Sequence, residues 1–72
     1  MHINEIVRQN IRNRQLNKRM IGKEMAALLE MTSANYSNLI RGKHSFSVYH
    51  IWLLAKACDI DPGEFFKPPI QP

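Results

Sequence analysis

Cysteine, acidic residues and long apolar runs are all scarce in this chain, and each scarcity removes a class of protein. One cysteine, Cys58, cannot close an internal disulfide, and no Cys-x-x-Cys pair or paired-histidine spacing offers a structural zinc site. His2, His44 and His50 are scattered, so no metal is expected, and Cys58 reads as a small core residue. The longest apolar runs, residues 25–29 and 51–55, fall far short of the roughly 18 residues that a membrane span requires. Met1-His2-Ile3-Asn4-Glu5 lacks the charged-then-apolar layout of a secretory signal, so a cytoplasmic protein without a membrane partner is expected. There is no Ser-His-Asp order in a suitable setting, no supported carboxylate pair and no glycine-rich phosphate loop. Neither enzymatic activity nor a cofactor is expected.

What is present is one small, basic, helix-forming unit. Seventy-two residues allow a single domain near the size at which one hydrophobic core is only just sufficient. The composition is 44% hydrophobic, too apolar for a disordered tail. Ten Lys and Arg against six Asp and Glu leave a net charge of +4, a balance that favours polyanionic partners, nucleic acid first. The charge is uneven, because Arg8, Arg12, Arg14, Lys18, Arg19 and Lys23 follow one another with no acid between Glu5 and Glu24.

Glycine occurs only at 22, 42 and 63, and three of the four prolines fall in the last five residues, so breakers punctuate the chain rather than disperse it. No alternating strand pattern is present, which makes the class all-α. Five helices are expected. The first, residues 4–18, is capped by Asn4 and turns Ile3, Val7 and Ile11 inward. The second covers 22–29 and buries Met25, Ala26 and Leu29, and the third covers 33–40, capped by Thr32, with Tyr36, Leu39 and Ile40 inward. Arg41 and Gly42 stop it. Ser47 caps the fourth, whose apolar stripe is Val48, Ile51, Trp52, Ala55 and Cys58. The fifth opens on Asp61-Pro62-Gly63-Glu64, with Glu64 reaching back to the cap and Phe65 and Phe66 closing the core. The domain is thus residues 1–66, followed by an extended proline-rich tail over 67–72.

Two short helices separated by a three-residue break, residues 30–32, form a helix-turn-helix arrangement. Ala26 supplies the small residue that a steep crossing needs. Outward on the third helix remain Ser33, Ala34, Ser37, Asn38 and Arg41, one continuous stripe at helical spacing. Amides pair with adenine edges, hydroxyls donate or accept, and a methyl packs on thymine, so Ser33, Ala34, Ser37 and Asn38 are the expected base readers. Asn38 leads. Arg12, Lys23, Asn35, Arg41, Lys43 and His44, with the backbone N–H of Gly22, are expected on phosphates.

Residues 10–66 resemble the phage repressor and Cro family, the XRE-type helix-turn-helix regulators. The resemblance rests on Asn10-Ile11-Arg12, Glu24-Met25-Ala26, the stretch 32–38, Arg41-Gly42-Lys43, Ser47-Val48, Leu54-Ala55-Lys56-Ala57 and the Asp-x-x-Glu-Phe-Phe ending. It implies a five-helix, lambda-repressor-like domain acting as a homodimer on double-stranded DNA with a palindromic operator. Dimer contacts implied by the family fall on Trp52, Phe65, Phe66 and Ile70. The chain departs from the family at several positions. Glu30 stands where glycine is common because the backbone there tends to positive φ, and Gly22 replaces a polar residue that touches DNA. Tyr36 is larger than usual, and Gln15 with Ile40 cannot form the Arg–Glu pair that some relatives bury. A competing expectation is an antitoxin-like module that neutralises a partner protein and represses its own promoter, supported only by the tail.

Overall fold

The computed structural model describes residues 2–68. It contains α1 (Ile3–Asn17), α2 (Gly22–Leu28), α3 (Ser33–Ile40), α4 (Val48–Cys58) and a 3₁₀ helix (Pro62–Phe66), with no strand among the described residues. The all-α class holds, with four α-helices rather than five. The last segment is too short to be more: Lys67, just before Pro68, is extended (φ −83°, ψ 139°), as a residue preceding proline prefers. Asp61 caps it, its carboxylate accepting from Gly63 N–H at 2.8 Å, whereas Glu64 pairs with Lys67 at 3.1 Å instead of reaching back. Lys67 and Pro68 begin the expected tail; its remainder, and Ile70 with it, lies outside the described residues.

The caps follow side-chain chemistry. Thr32 Oγ1 accepts from Asn35 N–H at 3.1 Å, as expected. Ser47 and His50 satisfy each other's amides: Ser47 Oγ accepts from His50 N–H at 3.1 Å and His50 Nδ1 accepts from Ser47 N–H at 3.2 Å. The first helix starts two residues earlier than a cap at Asn4 would place it, because His2 Nδ1 accepts from Asn4 N–H at 3.1 Å and so acts as the cap. Ile21 has no acceptor to offer α2, but Glu24 Oε1 accepts the Ile21 N–H at 3.0 Å.

All four α-helices end the same way. The amide of Met20 returns to Gln15 O, Met31 to Ala26 O, Lys43 to Asn38 O and Ile60 to Ala55 O, at 2.9–3.0 Å. The residue before each is left-handed: Arg19 (φ 54°), Glu30 (59°), Gly42 (85°) and Asp59 (57°). This is the Schellman closure, in which the residue after the left-handed one packs back on the helix. Met20, Met31 and Ile60 do so against the core. Only Gly42 is glycine.

The core gathers Val7 and Ile11 from α1, Met25, Ala26 and Leu29 from α2 and its cap, Tyr36 and Leu39 from α3, Ile51, Leu54 and Ala55 from α4, and Phe65. Phe65 is only 1% exposed, which places it in the core and not against a partner chain. Its neighbour Phe66 is 43% exposed and does not close the core. On α4 the buried face is set by Ile51, Leu54 and Ala55, so Val48 (82% exposed) and Trp52 (47%) stand in solvent despite their place in the expected stripe. Ile3 also remains largely exposed. Asn10 ties the ends of the chain together, its Nδ2 donating to the carbonyls of Phe65 (2.8 Å) and Lys67 (2.6 Å).

Candidate nucleic-acid interface

The angle between α2 and α3 depends on the short segment from Leu29 to Thr32. Glu30 takes the left-handed conformation there, at the position where the family resemblance implies positive φ. Its carboxylate is held from outside the motif, because Tyr49 of α4 donates its hydroxyl to Glu30 Oε1 at 2.8 Å. That bond is the first reason the Tyr49 phenol is raised above its usual range. The turn is thereby linked to α4.

A second tie fixes α3 against α1. The Tyr36 ring is buried, and its hydroxyl donates to Gln15 Oε1 at 2.7 Å. Gln15 Nε2 in turn donates to Met20 O at 3.1 Å, next to the end of α1. Gln15 thus serves where some relatives use an Arg–Glu pair, joining α1 to α3 with one neutral side chain. Burial pushes the Tyr36 phenol up to about 12, with the Arg12 charge acting in the other direction. Phe46 meets the Tyr36 ring edge-on at 6.4 Å between centroids.

With Tyr36 and Leu39 inward, α3 turns Ser33, Ala34, Asn35 and Ser37 fully outward, with Asn38 half-buried beside them. Arg41, Lys43 and His44 follow in an exposed loop, and Arg12 and Lys23 are also exposed. Gly22, half-buried, opens α2; a methyl added there would lie 3.7 Å from Tyr36 Cδ2, an ordinary contact. The N–H groups of Gly22 and Lys23 precede any possible helical acceptor. Ten basic side chains share few acids: the single ion pair among the described residues joins Lys67 to Glu64, away from α3.

Chemically, the arrangement is an exposed, basic surface carrying hydroxyls, amides and one methyl. Its donors and acceptors point at solvent and none is buried unpaired among the described residues. No grouping of three His, Cys, Asp or Glu side chains forms among them. None of the helices described is long and apolar enough to cross a membrane. A depression of about 620 Å³ lies between the Asn10, Asn13 and Asn17 side of α1 and Lys67, and Asn10 at its wall is already engaged. Sequence reasoning missed Gln15, Tyr49 and Asn10 as positioning residues. Each acts on a partner distant in the chain, and only the Gln15–Ile40 departure from the family hinted at the first.

A model of the helix-turn-helix family matches residues 9–65. No curated protein and no solved structure gives a match to the chain.

Proposed function

The chain belongs to the helix-turn-helix family of DNA-binding transcription regulators, Cro/C1-like in type, and from that premise we propose that it is a sequence-specific repressor of the phage or mobile-element kind, reading the major groove with α3. The observation that carries the proposal is the outward stripe of Ser33, Ala34, Ser37 and Asn38, continued by Arg41, on a helix whose other face is locked to α1. A recognition helix must keep its register while its side chains meet base edges, and the Tyr36–Gln15 and Tyr49–Glu30 bonds supply that stiffness. Arg12, Lys23, Asn35, Arg41, Lys43 and His44, with the Gly22 amide, supply phosphate contacts that position the helix without reading sequence.

One copy of so small a domain touches too few base pairs to single out an operator. We propose a homodimer on an inverted repeat, its two recognition helices about 34 Å apart, one turn of B-DNA. Exposed Trp52 and Phe66 are the described side chains suited to join the copies. Selection of bound duplexes from a random library tests binding, symmetry and spacing together. Enrichment of an inverted repeat with half-sites one turn apart is expected, and a library that emerges unenriched overturns the proposal.

A further inference from the structure

We propose that Arg8, on α1, is a phosphate-gripping residue of this interface, seated on the left-handed turn that closes α3; the proposal rests on the DNA-binding reading above. Gly42 has φ +85°, and the place where a side chain would project from it is filled by the Arg8 guanidinium. Nη1 lies 2.7 Å and Cζ 3.2 Å from the position that a Cβ would occupy. The backbone angle calls for glycine there, and the free end of the flexible Arg8 side chain occupies the space that the missing Cβ leaves. Arg8 reaches from α1 to the loop that carries Arg41, Lys43 and His44, and adds a third cation to Arg41 and Lys43.

No acid of the fold accounts for this arginine. Glu24 is spent on the Ile21 amide, Glu30 on Tyr49, Asp61 on the Gly63 amide and Glu64 on Lys67. Neither Glu5 nor Asp59 forms an ion pair among the described residues. The turn's own amides cannot serve an anion either, because Gly42 N–H is given to Leu39 O at 3.1 Å and Lys43 N–H to Asn38 O at 2.9 Å. An anion arriving at the turn meets side chains only.

Arg8 is half-buried, and its guanidinium lies at the C-terminal end of α3, where the helix carbonyls favour a cation; there it brings positive charge to the loop that also carries Arg41 and Lys43. Held against the turn, it has less freedom to lose on binding, and its fork of N–H donors matches phosphate oxygens two at a time. Arg12 sits one turn further along the same face of α1, close enough to Tyr36 to act on its phenol, and Tyr36 in turn lies against Gly22. Arg8 thus extends toward Gly42 a line of phosphate-binding groups that begins at the start of α2.

The test uses the whole chain and a fluorescent mixed-sequence DNA duplex, with affinity measured over a range of salt concentrations. Arg8→Gln is compared with Arg14→Gln, which removes the same charge from the other flank of the α1 core stripe, where Arg14 lines a groove with Glu64 and Phe65. The Arg8 variant is expected to lower the slope of log K against log salt by about 0.9 per bound protomer, so that the wild-type advantage shrinks about 3-fold between about 50 and 200 mM salt. Arg14→Gln is expected to keep the wild-type slope, and Arg8→Lys to restore the slope with part of the affinity. An Arg8→Gln variant whose melting temperature drops while its slope stays wild-type shows a structural plug and overturns the proposal, as does equal loss from Arg14→Gln. Arginine-selective modification of the wild-type chain is a second measurement that needs no variant to fold. Duplex is expected to protect Arg8 and not Arg14, and equal modification of Arg8 with and without duplex refutes the contact. Wild-type chain that shows no salt-dependent affinity for duplex sinks the DNA-binding reading itself, a result distinct from failure at Arg8 alone.

Discussion

Replacing Glu30 by glycine and, separately, by alanine measures the backbone cost of the turn between α2 and α3. Glu30 is held at φ 59°, a conformation that crowds any Cβ. Both replacements discard the carboxylate and its bond from Tyr49, so that loss cancels in the comparison. What remains is the Cβ in the left-handed region, roughly 1–2 kcal/mol against alanine, set against the greater freedom of glycine in the unfolded chain, roughly 0.4–1 kcal/mol. Glycine should therefore exceed alanine by about 0.5–1 kcal/mol, or roughly 3–6 °C in melting temperature for a domain of this size. That is an appreciable share of a total stability of about 4–10 kcal/mol. Thermal and urea unfolding of the two variants supply the numbers, and Tyr49→Phe shows separately what the bond to α4 contributes. If the alanine variant unfolds above the glycine variant by the roughly 0.4–1 kcal/mol that chain entropy alone gives it, the left-handed backbone carries no strain at this position and the account of the turn is wrong.

Tyr36 makes stability depend on alkaline pH. Its folded pKa lies above the ordinary 10, so its contribution is complete below about pH 10 and is lost as pH rises toward about 12, the unfolded chain releasing the proton first. The loss is on the order of 2 kcal/mol at the upper end; urea titrations at stepped pH should show it in wild type and much less in Tyr36→Phe. At neutral pH that variant should lose about 1 kcal/mol with the Gln15 bond, and alkaline slopes that stay parallel would refute the assignment. Asn38→Ala should relax base preference at one position by about 1–3 kcal/mol. Lys43→Ala should instead weaken binding to all duplexes alike, and indistinguishable selection profiles would count against both roles. Asn10→Ala should destabilise the fold by about 1–2 kcal/mol, because two carbonyls near the end of the 3₁₀ helix lose their donor; hydrogen exchange should quicken first in residues 62–67, and uniform quickening would contradict that localisation.

The motif itself was legible in the chain because its signals are local. Thr32 and Ser47 lie within three residues of the amides they cap, and the polar stripe of α3 follows from helical spacing alone. The left-handed turn at Glu30 was legible only through the family resemblance, since nothing in a glutamate announces positive φ. Arg19 and Asp59 adopt the same conformation with no such hint. The signal at those helix ends was instead the apolar residue that follows, Met20 or Ile60, which packs back on the core.

Periodicity failed on α4. Val48, Tyr49, Ile51, Trp52, Leu53, Leu54 and Ala55 make that helix apolar nearly all round, so spacing could not say which side goes inward. Packing against α2 and the 3₁₀ helix chose Ile51, Leu54 and Ala55, and left Val48 and Trp52 in solvent. The sequence by itself thus determined the helices, most of their caps and the outward face of α3, all of which depend on neighbours within one or two turns. Tertiary structure alone decided the partners of Asn10, Gln15 and Glu30, the seat of Arg8 on Gly42 and the inward face of α4. Each of these joins residues far apart in the chain, which meet only once the helices have packed.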